Sequence, residues 1–277
     1  MTVEPLLNYD RWCLHTITTK PWSLSQAIDK YAQAGVRGIT VWRQWLQGWD
    51  LRSARRAIAE AGLVAVATAR GGFFPALTSA KRQQAVEDNL RAVDEAAAIG
   101  APLVVLVCGA DPGQTLAESR QQILDGIAAV LPHAQAAGVK LAIEPLHPMY
   151  ANDRSAINTL KQANDLCDTL AHPAAAVAVD CYHVWWDPEL HAQIQRCGQS
   201  GYLAAFHVCD WLTPTVDFLN DRGLMGEGCI PIRELRGWVE EAGFHGFIEV
   251  EIFSNRWWQT DQDLFLQKIK QAYLQHV

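Results

Sequence analysis

Eight short, almost continuously apolar runs alternate with amphipathic segments along this chain of 277 residues. Continuous apolar runs of five or six residues are typical of parallel strands that are buried on both faces. An open or barrel-shaped parallel sheet covered by helices is therefore the architecture that the pattern favours. The predicted strands are residues 12–17, 38–42, 64–68, 103–108, 140–144, 176–180, 204–208 and 247–252.

The segments between these runs carry the start and stop signals of helices. Ser23-Leu24-Ser25-Gln26 is a capping box that opens a helix running toward Gly35, and glycines also close several later segments. Eight strand–helix units without a break in composition predict one (β/α)8 TIM-barrel domain over residues 1–277. The other predicted helices with clear ends are residues 50–61, 79–99, 115–137, 155–171, 231–242 and 261–276.

Composition narrows the possible partners and compartment of such a barrel. The net charge is −7, from 23 Lys and Arg against 30 Asp and Glu, and no long basic run occurs, so we expect no nucleic-acid partner. No apolar stretch reaches the length of a membrane span, so we expect no membrane partner. Seven cysteines without a C-x-x-C pair, and no recognisable secretory leader, favour reduced thiols and a cytoplasmic location.

The carboxyl ends of four successive predicted strands carry acidic or imidazole side chains. Glu144 and Asp180 end the fifth and sixth strands, His207 lies in the seventh, and Glu249 and Glu251 lie in the eighth. Each carboxylate alone could cap the next helix, but three together at one rim repel unless protons or a cation neutralise them. We therefore expect one divalent metal ion at Glu144, Asp180, His207 and Glu251, with Glu249 one layer deeper on the same strand face.

These residues lie in motifs that resemble a known family of barrels, and the resemblance covers most of the chain. The motifs are Ile143-Glu144-Pro145-Leu146-His147-Pro148, Asp180-Cys181-Tyr182-His183, His207-Val208-Cys209-Asp210-Trp211, Gly226-Glu227-Gly228 and Gly246-Phe247-Ile248-Glu249-Val250-Glu251. The chain thereby resembles the xylose-isomerase-like sugar phosphate isomerase/epimerase superfamily, which includes ketose 3-epimerases, inosose dehydratases and metal-dependent apurinic endonucleases. The resemblance implies the same four metal ligands, Mn²⁺ ahead of Mg²⁺, Co²⁺ or Zn²⁺, and catalytic roles for Glu144 and Glu251.

Six polar residues near the predicted strand ends are candidates for substrate binding: His183, His147, Asp210, Arg43, Arg70 and Glu227. His183 resembles the histidine of the family's D-x-x-H, which contacts or orients the substrate; the alternative is a loop histidine bonded to backbone. His147 either contacts the substrate or packs beside Pro148. Asp210 either holds His207 in the metal-binding tautomer or binds substrate hydroxyl groups.

The remaining candidates have equally open alternatives. Arg43 and Arg70, at the ends of the second and third predicted strands, either clamp a phosphate or carboxylate or form surface salt bridges. Glu227, flanked by glycines, either caps the next helix or faces the site. His15, near the end of the first strand, has no assigned role.

The resemblance implies an isomerase or epimerase of a small polyhydroxy carbonyl compound. A metal ion that binds the carbonyl and an adjacent hydroxyl acidifies the neighbouring C–H and stabilises the enediolate, and two opposed glutamates remove and return the proton. The alternatives are an inosose-type dehydratase and a non-catalytic sugar-binding barrel. Abasic-site endonuclease activity is disfavoured, because strands two to four end without the histidines of a multi-zinc cluster.

One departure from the family pattern leaves the substrate open. The loop Leu146-His147-Pro148-Met149-Tyr150 lacks a further glutamate that ketose 3-epimerases carry after the fifth strand, which argues against a simple ketohexose. Tryptophans near the predicted rim suit stacking on a sugar ring or on a partner subunit, so association into a homo-oligomer is a further expectation.

Overall fold

The computed structural model describes residues 3–277, and eight parallel strands close into a barrel that confirms the predicted (β/α)8 fold. Neighbours in the barrel follow chain order, and the last strand closes the ring between the seventh and the first. A separate antiparallel pair, β8 and β9, lies in the segment after the seventh barrel strand. The barrel strands are β1 (Trp12–His15), β2 (Gly38–Trp42), β3 (Val64–Gly72), β4 (Leu103–Val107), β5 (Lys140–Glu144), β6 (Ala175–Asp180), β7 (Leu203–Val208) and β10 (Ile248–Val250), and the pair is β8 (Asp210–Trp211) and β9 (Arg222–Gly223).

Helices surround the barrel, and the first of them begins and ends where the sequence predicts. Ser23 and Gln26 form the reciprocal capping box before the first helix, and Gly35 ends it with φ 85°. Short 3₁₀ turns occupy Arg43–Leu46 and Pro148–Tyr150. The helices are α1 (Leu24–Ala34), α2 (Leu51–Glu60), α3 (Ser79–Ile99), α4 (Leu116–Ala136), α5 (Leu160–Leu170), α6 (Cys181–Val184), α7 (Leu190–Gln199), α8 (Ile232–Glu241), α9 (Asn255–Trp258) and α10 (Gln262–His276). Within residues 3–277, no helix combines the length and the apolar character that crossing a membrane requires.

The apolar residues divide into a barrel interior and a layer between barrel and helices. Inward-facing positions carry small side chains on several strands, among them Ala67, Ala142 and Ala178, beside the larger Leu103 and Val105. Alternate positions point outward and pack against the helices in the main core. The filled interior thus supports a rim at the carboxyl ends of the strands, where the candidate site lies.

Some element boundaries differ from the predicted ones because of contacts that are distant in sequence. Strand β3 continues beyond the predicted end at residue 68, since the Asn89 side chain accepts from the Gly72 N–H at 2.7 Å and donates to its carbonyl at 2.8 Å. Helix α5 begins after the Thr159 cap, not at residue 155, because Ser155 forms a bridge with Gly109. Strand β1 ends early, where the Thr18 N–H turns back to the His15 carbonyl.

Candidate metal centre and substrate cavity

The four residues predicted as metal ligands converge at the carboxyl end of the barrel. Glu144, Asp180, His207 and Glu251 each offer a ligand atom, and these atoms all lie within 4.8 Å of one another. All four residues are buried, and Nδ1 of His207 lies 3.0 Å from Oε1 of Glu144. Strands β5, β6, β7 and β10, which hold or lead into them, are neighbours in the barrel, so its register brings the four together.

A second layer of buried polar contacts supports Glu251 and His207. The His15 ring lies between two carboxylates, with Nδ1 at 2.8 Å from Glu251 Oε1 and Nε2 at 3.1 Å from Glu249 Oε2. Thr40 donates its hydroxyl to the same Glu249 oxygen. The other Glu249 oxygen lies 3.8 Å from His207 Nε2, so Glu249 sits behind the cluster, one layer deeper, facing two imidazoles.

Arg222 occupies a central place in the site that sequence reasoning did not assign. It is buried, and its Nη1 lies 2.9 Å from Glu251 Oε2 and 3.4 Å from Asp180 Oδ2. The guanidinium also packs over the Tyr182 and Phe253 rings, at 4.4 and 4.7 Å from their centroids. In this arrangement Arg222 neutralises two of the carboxylates. Arg222 reaches the cluster through the course of the segment from β8 to β9, and no sequence motif indicates this residue.

Burial and mutual repulsion shape the ionisation of the cluster. Burial raises the pKa of the Asp180 carboxyl to about 7, and the nearby Glu144 and Glu251 carboxylates add to the rise against the opposing charge of Arg222. Burial alone would lower the pKa of His207, but the surrounding carboxylates, Glu249 first, raise it to about 10.

Burial and neighbouring charges also compete in setting the pKa values of Glu251 and His15. Burial opposes ionisation of Glu251, yet His15 and Arg222 hold its pKa below the ordinary value. Burial lowers the pKa of His15, but the attraction of the Glu251 and Glu249 carboxylates outweighs it, so the pKa is raised. Protons and Arg222 therefore balance the carboxylates, which is the charge that a metal ion would supply in their place.

The donor set fits one divalent metal ion. Three carboxylates and one imidazole are the ligands that hard and borderline divalent cations take. The imidazole nitrogen on the ligand side is Nδ1 of His207, which lies 3.0 Å from Glu144 Oε1, whereas Nε2 is turned toward Glu249 behind the cluster. The residues that would hold the ion are thus Glu144, Asp180, His207 and Glu251.

A cavity of about 380 Å³ opens onto this cluster and is large enough for a small ligand. Glu144, Glu251 and Arg222 line its inner part, and Arg70 and His183 also face it. The buried His183 accepts the His147 backbone N–H at Nδ1, with its Nε2 3.7 Å from Asp180 Oδ2, and burial together with Arg222 lowers its pKa. Of the six residues predicted to bind substrate, His183 and Arg70 therefore reach the cavity.

The other four predicted substrate residues have structural partners instead. Arg43 forms ion pairs with Asp88 and Glu95 at 2.8 and 2.6 Å, which is the salt-bridge alternative for this residue. The His147 ring packs against Trp186 and Trp211, and its Nδ1 accepts the Met149 N–H.

Asp210 and Glu227 both organise the segment after β7. The Asp210 carboxylate accepts the backbone N–H groups of Gly226 and Ile230 at 2.8 and 3.0 Å. Glu227 accepts the Leu224 N–H and pairs with Arg256; it does not cap helix α8, whose N-cap is Pro231. None of Arg43, His147, Asp210 and Glu227 lines the described cavity, and a substrate contact for them stays a prediction.

A family model for xylose isomerase-like TIM barrels matches residues 28–269 of the chain. The protein belongs to the xylose isomerase-like TIM-barrel family. The crystal structure of a protein from Sinorhizobium meliloti 1021 is similar to this xylose isomerase-like barrel at 45% identity, with a TM-score of 0.93, and the match covers 96% of this chain and 98% of the other.

Two more distantly similar proteins are described by an activity or by a bound metal. An inosose isomerase of Halalkalibacterium halodurans is 22% identical over 209 residues, which is 74% of this chain and 72% of that protein. The crystal structure of the IOLI protein with a bound zinc atom is 18% identical, with a TM-score of 0.81 and coverage of 95% and 96%. At that identity, the likeness to the IOLI protein shows a shared fold.

Proposed function

We propose that this xylose isomerase-like barrel is a divalent-metal-dependent isomerase or epimerase of a small polyhydroxy carbonyl compound, with Mn²⁺ as the preferred ion. The observation that carries the proposal is the cluster of Glu144, Asp180, His207 and Glu251, whose ligand atoms converge at the inner end of a ligand-sized cavity. The similarity to an inosose isomerase supports the reaction class, and the zinc atom of the structurally similar IOLI protein supports a metal ion at such a barrel.

The proposed mechanism uses Glu144 and Glu251 as proton acceptor and donor. A bound metal ion supplies Lewis acidity that weakens the C–H bond next to the substrate carbonyl. Both glutamates line the cavity, and they approach it from β5 and from the end of β10, which are three positions apart in the barrel. Removal of the proton by one glutamate and its return to the opposite face by the other inverts the carbon, whereas return to the neighbouring carbon gives an isomer.

The surrounding side chains hold the two glutamates in place. His207 Nδ1 lies beside Glu144, and Arg222 and His15 both contact Glu251, so the carboxylates cannot rotate freely. His183 also lines the cavity, where its Nε2 lies 3.3 Å from Arg222 Nη2, and we assign it a contact with the substrate. Burial of the cluster keeps bulk water away from the carbon that is being deprotonated.

Metal content is the first test of this proposal. Mass spectrometry of the purified protein is expected to find about one divalent ion per chain, and Asp180→Asn and Glu251→Gln should each lose it, since each removes a ligand. Asp168→Asn is a matched control, because that exposed carboxylate pairs with Arg196 outside the cluster. A native protein that holds no ion and takes up none from Mn²⁺, Zn²⁺, Co²⁺ or Mg²⁺ would refute the metal-dependent reaction.

Exchange of the substrate proton with deuterated water tests the chemistry itself. The metal-loaded protein, screened with keto-sugars and inososes, should exchange the proton next to the carbonyl, and Glu144→Gln and Glu251→Gln should abolish the exchange. Exchange at the wild-type rate in both variants would contradict the assigned roles. A product lighter by one water would identify a dehydratase, and tight binding without exchange or product would identify a sugar-binding barrel.

A further inference from the structure

The cavity in front of the metal cluster carries more positive than negative charge. Its charged lining side chains are Lys20, Arg70, Arg154 and Arg222 against Glu144 and Glu251. Arg222 already pairs with Asp180 and Glu251 inside the cluster. In residues 3–277, neither Arg70, Arg154 nor Lys20 forms an ion pair with any carboxylate, although the chain has a net charge of −7. Three cations that line the cavity are therefore without an ion-pair partner in the described part of the chain, although Glu144 and Glu251 lie near enough to attract Arg70.

The Arg70 side chain is aimed by an irregularity in the barrel. Between β3 and β4 the pairing passes from Ala69 opposite Val105 to Gly71 opposite Leu106, so Arg70 is left out of the register. Such bulges redirect a side chain and are frequent beside active sites. The guanidinium packs over the Phe73 ring at 4.2 Å from its centroid, which supports one face and leaves the N–H edge open.

Two hydrogen bonds fix the backbone of Arg154, another cation of the cavity lining. Its N–H donates to the Tyr150 carbonyl at 3.0 Å, and its carbonyl accepts the Gly109 N–H at 2.8 Å. Its guanidinium lies 5.7 Å from the centroid of the Tyr150 ring, another lining residue. Burial and then the positive charge of Arg154 lower the pKa of Arg70 against the opposing attraction of Glu144 and Glu251, so the two guanidiniums are close enough to repel each other.

Lys20 completes the group from the loop after β1. Its ammonium lies 4.3 Å from the centroid of the Trp258 ring, which also lines the cavity. The three cations thus come from three different parts of the rim and are each supported by an aromatic ring. A neutral sugar would hydrogen-bond to them but would leave the repulsion between Arg70 and Arg154 in place, whereas an anionic oxygen group would relieve it.

We propose that Arg70, Arg154 and Lys20 form a binding site for an anionic group of the substrate, a carboxylate or a phosphate. The planar fork of a guanidinium matches two oxygens of either group, and the ammonium adds a third donor. The inference rests on the proposed function and specifies its substrate class: a polyhydroxy carbonyl compound that also carries an anionic group.

A matched series of ligands tests the site by binding. Fructose, fructose 6-phosphate and fructuronate share one carbon skeleton and carry a hydroxyl, a phosphate or a carboxylate at the terminal carbon. Calorimetric titration of the Mn²⁺-loaded protein should show that at least one charged ligand binds about tenfold tighter than fructose or better, and the stronger of the two identifies the group. Arg70→Met and Arg154→Met should each remove most of that advantage, weakening the charged ligand far more than fructose, while the metal content stays unchanged. Arg91→Met is the control, since Arg91 is exposed and pairs with Asp88 on helix α3.

A titration with inorganic phosphate after removal of metal separates this inference from the proposed function. Phosphate binding that is lost in Arg70→Met but retained in Arg91→Met supports the anion site even if the protein takes up no metal and exchanges no proton. Equal affinity of the wild type for all three sugars, or an advantage that survives both substitutions, overturns the anion site and leaves the metal and exchange results as they stand.

Discussion

Replacing Arg222 with methionine would leave two buried carboxylates of the cluster without their cation. The Arg222 guanidinium lies 2.9 Å from Glu251 and 3.4 Å from Asp180, and its side chain is 3% exposed. The methionine side chain keeps the apolar contact with the Tyr182 and Phe253 rings, so the change is mainly electrostatic. Breaking a buried ion pair by removing one partner costs about 3–5 kcal/mol, and we expect a loss of this size in the free energy of unfolding without metal.

A bound divalent ion should recover a large part of that loss, because it becomes the counter-charge of the same two carboxylates. If it restores half, about 1.5–2.5 kcal/mol, the thermodynamic cycle requires that Arg222→Met bind the ion roughly 10- to 60-fold more tightly than the wild type. Removal of the repulsion between Arg222 and the ion acts in the same direction.

Urea unfolding at pH 8 with and without saturating Mn²⁺, together with calorimetric titration of the ion, measures both quantities. In the wild type this pH lies above the pKa of about 7 of Asp180, and loss of Arg222 removes a charge that lowers this pKa, so part of the effect in the variant without metal is proton uptake by Asp180. Arg236→Met is the matched control: Arg236 is also buried and pairs with Glu240 on helix α8, so its loss should lower stability without changing metal affinity. Weaker metal binding by Arg222→Met would refute the idea that arginine and ion neutralise the same carboxylates.

Two further predictions concern the scaffold around the site. Gly72 has φ +105°, and a Cβ added there would clash with the Val107 carbonyl, so Gly72→Ala should cost about 2 kcal/mol or more in the free energy of unfolding by urea. Gly138 also has a positive φ, +69°, but open space around it, so Gly138→Ala should cost only the backbone strain, about 1 kcal/mol. Equal losses in the two variants would contradict the assigned clash. The hydrogen bond from Arg43 holds the pKa of Asp88 below 3.8, so this pair stabilises the protein above about pH 4 and loses its effect as the pH falls. Asp88→Asn should therefore reduce the drop in the free energy of unfolding between pH 7 and pH 3. An unchanged drop would contradict the role assigned to this pair.

The fold was predictable because its strands are marked locally. The run Leu103–Val107 is apolar at every position and buried at every position, and the helix between β1 and β2 begins and ends at its predicted capping box and glycine. The boundaries that differ depend on partners elsewhere in the chain. Strand β3 is lengthened by the Asn89 side chain, and helix α5 is shortened by the pairing of Ser155 with Gly109, neither of which is visible in a local window.

The convergence of Glu144, Asp180, His207 and Glu251 follows from the same local signals, because a closed parallel barrel brings the ends of its strands to one rim. Arg222, in contrast, lies far from any strand end of the barrel in the sequence. It reaches the cluster only because β9 pairs with β8 and the segment folds back over Asp180. Asp210 was predicted near the metal or the substrate, and it is the anchor of this same segment through its bonds to backbone N–H groups.

The division between strands and loops also separates two kinds of charge in the cavity. The carboxylates stand at the ends of β5, β6 and β10, where barrel register fixes them, whereas Lys20 and Arg154 belong to loops and Arg70 to a bulge. Register is shared by the whole barrel, so the metal cluster cannot shift without disturbing every strand pair. Loops and bulges can change one at a time. Substitutions among the three cations should therefore alter which substrate binds while the metal cluster stays intact.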